Sequence, residues 1–194
     1  SVAAMMLVED GKMQLNDAVS KFLPAVKGLQ VSVMKAEAAK VTYTLVPAER
    51  EMTVQDVLRH SSGLAYANLT QNVLVKEAYA KTGIADDPRG LTPAQEIESF
   101  SKSPLAHQPG TVWEYSLSTD MLGRVIEAVS GKRLAEFMEE RLFKPLGMID
   151  TGFWVPQEKL DRLAAALPID AASGNPNKLW DVSAAPNNDS GGGG

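Results

Sequence analysis

The sequence predicts an α+β fold that is predominantly helical, with one small β-hairpin. Three observations predict it. Met121, Leu122, Val125, Ile126 and Val129 fall at i, i+1, i+4, i+5 and i+8, the period of one helix face. Helix start and stop signals recur along the chain, among them Thr53 with Asp56, Thr92 before Pro93, and Gly131. Two neighbouring runs, 31–34 and 41–46, are rich in β-branched residues.

Taken in order, residues 1–10 read as a helix stopped at Gly11. Residues 2–8 are apolar throughout, and a short helix of that kind is expected to be fully buried. Asn16 and Asp17 open a short helix through Phe22, stopped by Pro24. The runs 31–34 and 41–46, with residues 35–40 between them, form the hairpin. Thr53 caps a helix carrying Val54, Val57 and Leu58 on its apolar face, with Asp56 completing a capping box. That helix ends by Gly63. Residues 68–79 are read as helix, stopped at Gly83, and residues 86–90 as a loop. Thr92 and Pro93 cap and open a helix to about Lys102. Pro109-Gly110 is a turn. The amphipathic helix around Met121 is closed by Gly131. Residues 134–143 form another, ended by Pro145 and Gly147, and residues 158–166 a last helical stretch.

Composition narrows the function. With 194 residues, 44% hydrophobic and 22% charged, the chain has ordinary globular composition and is read as a single domain. A net charge of -5 argues against a nucleic-acid-binding face and against a polybasic membrane anchor. No apolar run approaches the ~18 residues of a membrane span. There is no cysteine, hence no disulfide, thiol nucleophile or cysteine zinc site. The histidines are His60 and His107, outside any H-E-x-x-H pattern, so no metal site is expected.

Several short motifs carry candidate chemistry. No G-x-S-x-G elbow, P-loop or G-x-G-x-x-G occurs. S-x-x-K occurs at Ser32 to Lys35 and at Ser99 to Lys102. Ser32 lies on a predicted strand, where i and i+3 face opposite ways, and Ser99 at a helix end, so both are read as coincidence. Lys81-Thr82-Gly83 spells K-T-G, but follows a predicted helix and is read as its glycine C-cap. Residues 109–120 deliver Trp113 and Tyr115 to the start of the amphipathic helix. By composition these are core aromatics at alternate positions of an extended segment. The functional alternative makes Tyr115 an acid/base; a phenol ionises near pH ~10, so that role calls for a cationic neighbour.

These stretches, in order, resemble the serine β-lactamase, penicillin-binding protein and family VIII carboxylesterase superfamily, in its class C-like esterase branch. Residues 1–12 look like the end of the family's buried helix after S-x-x-K, and residues 15–24 like its L-x-D-x-V-x-x-F-L-P stretch. Residues 57–64 look like L-L-x-H-T-S-G-L, and 109–116 like P-G-x-x-W-x-Y-S. Residues 143–151 look like P-L-G-M-x-D-T, and 189–194 like the opening of S-G-G-x-G-L-x-S-T.

The resemblance implies a serine hydrolase acting on small-molecule carboxyl esters, or weakly on β-lactams, through an acyl-enzyme and without metal or organic cofactor. Tyr115 matches the family tyrosine that shuttles protons beside the serine and lysine. Ser116 and Leu117 match the two substrate-side positions that follow it. The class C enzymes carry Y-A-N there, and Leu117 cannot make the asparagine's contact with a substrate amide. His60 matches the signature histidine and is read as structural, hydrogen-bonded within a turn. The nucleophilic serine and lysine would precede Ser1, and the K-T-G, H-x-G or W-x-G strand would follow Gly194. Residues 1–194 are therefore expected to be an incomplete domain, the helical region of a β-lactamase/transpeptidase-like fold with its central antiparallel sheet largely missing, and inactive alone. The alternative is a non-catalytic helical module that binds a partner or self-associates through an exposed apolar face. A signal peptide, if one exists, would lie upstream of Ser1, which leaves both the cytoplasm and the periplasm of a bacterium open.

Overall fold

The most regular amphipathic stretch of the sequence becomes the helix around which the others pack. In the computed structural model, which describes residues 1–37, 40–84, 90–164, 168–169, 174–176 and 182–189, the stretch is α5, Ser118–Ser130. Its Met121, Leu122, Val125 and Ile126 are buried, and Gly131 closes it at φ 70°. It packs against α1 (Val2–Glu9), α2 (Val54–Leu58), α4 (Pro93–Ser101) and α6 (Leu134–Met138). The remaining regular elements are the hairpin strands β1 (Gln30–Glu37) and β2 (Lys40–Pro47), and α3 (Val73–Thr82). The core joins Leu7, Val19, Val57, Tyr79, Phe100 and Met121 in one cluster. Each large apolar side chain so buried contributes about 1.5–3 kcal/mol relative to exposure.

Local signals explain most boundaries. Thr53 and Asp56 form a reciprocal capping box on α2, and Thr92 and Gln95 another on α4, each satisfying backbone donors that a helix start leaves unpaired. The antiparallel hairpin pairs Val31 with Val46 and Val33 with Thr44. The far edge of β1 is covered as well, because Ser32 N–H donates to the Leu105 carbonyl and Leu105 N–H to that of Gln30, both at 2.8 Å. Residues 81–83 end α3 on Gly83 at φ 79°, as a helix C-cap.

Four expectations need correction. The apolar helix α1 is not buried all round: Ala3, Ala4 and Leu7 are buried, but Val2 and Met5 are 57% and 41% exposed, since one side of it meets α5. The helix expected over 68–79 begins at Val73, because the Asn72 side chain accepts the Val75 N–H and takes the cap. Residues 16–22 form a 3₁₀ turn over Val19–Lys21, with a second at Pro24–Val26. Residues 158–166 show a 3₁₀ helix, Gln157–Arg162, while 165–167 lie outside the described residues. No helix among the described residues is long and apolar enough to cross a membrane.

A buried polar cluster ties the segment 187–189 to the helices. Arg124 and Glu96, whose side chains are wholly buried, approach to 3.2 Å. Arg124 also pairs with Glu127 at 2.8 Å and donates to the Asp189 carbonyl at 2.5 Å. Asn188 donates to Glu96 at 2.8 Å. Burial pushes the Glu96 carboxyl up to about 7, against the pull of Asn188 and Arg124, with Asp120 and Glu127 pushing the same way as burial. Unfolding returns it to the ordinary 4.5, so the unfolded chain ionises first as pH rises. Stability from this group is therefore full below pH 4.5 and is lost as pH climbs to about 7, by up to about 3 kcal/mol. Urea midpoints of the wild type are expected to fall across that window, and Glu96→Gln to flatten much of the fall. Asp56 works in a separate window: although burial raises its carboxyl, hydrogen bonds from Arg50 and Thr53 bring it to about 2.

Candidate functional site

Two loops zip together beside α5. The loop 60–65 accepts hydrogen bonds from 106–117 in succession: Ala106 N–H to the Gly63 carbonyl at 2.7 Å, Gly110 N–H to Ser61 at 2.7 Å and Glu114 N–H to His60 at 3.0 Å. Gly63 is required for the approach. It sits at φ 88°, and a Cβ there would stand 2.2 Å from the His107 carbonyl oxygen. Asp56 anchors the first loop, receiving the Ser61 hydroxyl at 3.1 Å and Arg50 at 2.6 Å.

The pairing presents Trp113 and Tyr115 to solvent. They are 70% and 49% exposed, which corrects their reading as core aromatics. The alternation is real, but the face it selects lines a cleft of about 740 Å³. Val31, Val33, Met34 and Leu69 line it together with Trp113 and Tyr115. His107 and Glu114 also line it and meet at 2.5 Å.

Tyr115 stands between two rings, His60 at 5.0 Å and Tyr66 at 5.2 Å between centroids. Burial raises the Tyr66 phenol well above its ordinary range, helped by the charge of Asp120 and by Tyr115. Tyr66 is therefore a neutral hydrogen-bonding group beside Tyr115 at neutral pH. Sequence reasoning missed Tyr66, whose place depends on the turn at 66–70.

Ser116 and Leu117 lie behind Tyr115, both buried. The Ser116 hydroxyl is 3.3 Å from His60 Nδ1 and 2.7 Å from the Ser118 hydroxyl, which is 2.8 Å from that of Ser62. Leu117 joins the core. Neither is among the cleft's lining residues, whereas Tyr115 is.

Of the two S-x-x-K matches, Ser32 lines the same cleft as Tyr115 and Ser99 does not. Ser32 donates to Asn72 Oδ1 at 3.0 Å, on strand β1. Ser99 donates to the Gln95 carbonyl at 2.8 Å, while Lys102 pairs with Glu98 at 2.5 Å. Residues 190–194, the glycine-rich match, lie outside the described residues. Among the described residues no group of three or more His, Asp or Glu is arranged to hold a metal ion.

Several known proteins and solved structures are similar to this chain. Protein Rv1367c of Mycobacterium tuberculosis is 33% identical over 168 residues, covering 87% of this chain and 40% of the relative. Lovastatin esterase of Penicillium rubens is 32% identical over 154 residues, covering 79% and 37%. The structure of EstCE1, described as a hydrolase with promiscuous acyltransferase activity, superposes with TM-score 0.67 at 30% identity, covering 92% of this chain and 42% of that one. The chain thus spans about two fifths of the length of these proteins. The family model described as Beta-lactamase matches residues 1–194 from end to end, and this chain therefore belongs to the β-lactamase family.

Proposed function

We propose that residues 1–194 supply the tyrosine-bearing, helical part of a single serine hydrolase domain that cleaves carboxyl esters through an acyl-enzyme. One observation carries the reading: Tyr115 stands half-exposed on the wall of an apolar-sided cleft, held between two rings. The esterase and hydrolase relatives support it. A serine from an S-x-x-K segment outside 1–194 attacks the ester carbonyl. Tyr115 relays the serine proton to the leaving alkoxide, and water or a second alcohol then takes the acyl group by the reverse relay. Val31, Val33, Met34 and Leu69 suit an apolar acyl or alcohol group. Ser116 fixes the backbone behind Tyr115, and Leu117, buried in the core where the family's class C enzymes carry an asparagine, offers no partner to a substrate amide, so β-lactams are poor substrates. None of these steps draws on a metal or organic cofactor.

A second reading, self-association without catalysis, is favoured by the outer face of α1, where Val2 and Met5 are exposed. Turnover of p-nitrophenyl butyrate, measured beside the mass in solution, separates the two. The 194-residue chain is expected to be a monomer without turnover. The same chain with an upstream S-x-x-K segment and a downstream strand is expected to give a p-nitrophenol burst, the mark of an acyl-enzyme. Turnover by the 194 residues alone would overturn this reading and make Ser32 or Ser99 the nucleophile to test. A dimer inactive in both forms would establish the second.

A further inference from the structure

We propose that His60 is the positioning residue for Tyr115, clamping the backbone on both sides of the phenol. This rests on the catalytic reading of Tyr115 given above. Three contacts converge. The His60 carbonyl accepts the N–H of Glu114, the residue before Tyr115, at 3.0 Å. Its Nδ1 accepts the N–H of Ser116, the residue after, at 3.3 Å. Its ring lies 5.0 Å from that of Tyr115, inclined by 44°. The ring's other nitrogen, Nε2, reaches the Thr119 hydroxyl at 3.5 Å, in the first turn of α5.

The backbone shows that this arrangement is imposed on His60. At φ 57° it is the one non-glycine residue with positive φ among the described residues. A side chain with a Cβ is strained there, and glycine or asparagine would fit with less cost. The left-handed turn lets carbonyl and imidazole of one residue reach the same neighbouring segment. Strain at a site of this kind points to a positional role. The clamp needs the neutral ring, because an imidazolium would set its own Nδ1–H against the Ser116 N–H. Burial lowers the imidazole's pKa, opposed by Asp120, and so favours the neutral form.

Fluorine NMR of the chain labelled with 3-fluorotyrosine tests the clamp. Tyr43, Tyr66, Tyr79 and Tyr115 give four resonances, and Tyr115→Phe assigns the relevant one. His60→Gly keeps the backbone conformation at no steric cost, and its thermal midpoint is expected to stay at or above that of the wild type. In it, the Tyr115 resonance is expected to move toward the position of free fluorotyrosine and to sharpen. His60→Asn restores an acceptor at the place of Nδ1 and tolerates positive φ, so it is expected to recover part of the shift. An unmoved Tyr115 resonance in folded His60→Gly overturns the proposal. Should that variant fail to fold, an unmoved Tyr115 resonance in folded His60→Ala, whose side chain carries no acceptor for the Ser116 N–H, overturns it equally. Failure of the catalytic reading looks different: a Tyr115→Phe enzyme with intact ester turnover would remove the role of Tyr115 and leave the clamp standing.

Discussion

Arg124→Ala is expected to destabilise the fold by about 3–5 kcal/mol, the cost of removing one partner from a buried ion pair. Arg124 is wholly buried on α5 and faces two carboxylates, Glu96 and Glu127, from two helices. Without it, Glu96 loses its counter-charge where water cannot replace it, and the partly exposed Glu127 loses the partner it shares. The Asp189 carbonyl also loses the Arg124 donor. Asp189 in turn accepts the Ala135 N–H at 3.0 Å and pairs with Arg133 at 2.9 Å, so loosening reaches the start of α6. Urea unfolding reads the loss as a shift in midpoint at unchanged slope. The double variant Arg124→Met with Glu96→Gln removes charge from both sides together, and is expected to recover a substantial part of the loss. A single-variant loss below about 1 kcal/mol would mean that the cluster is solvated on unfolding fluctuations and carries little of the fold.

That cluster also marks the limit of what the sequence shows. Elements governed by neighbours in the chain were legible. The period around Met121 gave α5, Thr92-Pro93 gave the start of α4, Thr53 with Asp56 gave α2, and the β-branched runs gave the hairpin. Features decided by distant partners were not. Arg124, Glu96 and Asp189 are scattered over the chain, and nothing near Arg124 in sequence announces a buried guanidinium. The outer face of α1 reads as core because its residues are apolar, yet its burial depends on how many neighbours reach it. The candidate site divides in the same way. The motif around Tyr115 pointed to the residue, but alternation alone placed Trp113 and Tyr115 inside. Their exposure follows from the zipping of 60–65 against 106–117, which Gly63 permits by lacking a side chain. The turn of His60 into the left-handed region is likewise invisible until the loops are paired.

Tyr115→Phe is expected to lower kcat about 10²–10⁴-fold in the enzyme that includes the nucleophilic serine, the usual contribution of a positioned proton-transfer group. KM should change little, because the ring, its face toward His60 and its place on the cleft wall all survive loss of one hydroxyl. Stability should also hold, since Tyr115 is half-exposed and not part of the core cluster. Tyr66→Phe is the informative comparison. Tyr66 adjoins Tyr115, its ring 5.2 Å away, but its phenol is held neutral by burial and by the charge of Asp120. It packs against Tyr115 without carrying the transferred proton, so its loss should cost kcat far less. If the two variants lost activity equally, the proton would pass through a tyrosine pair, and neither residue alone would be the shuttle. If Tyr115→Phe kept more than about a tenth of the wild-type kcat, below the smallest loss of about 10²-fold that this role demands, Tyr115 would be a wall of the cleft and not part of its chemistry.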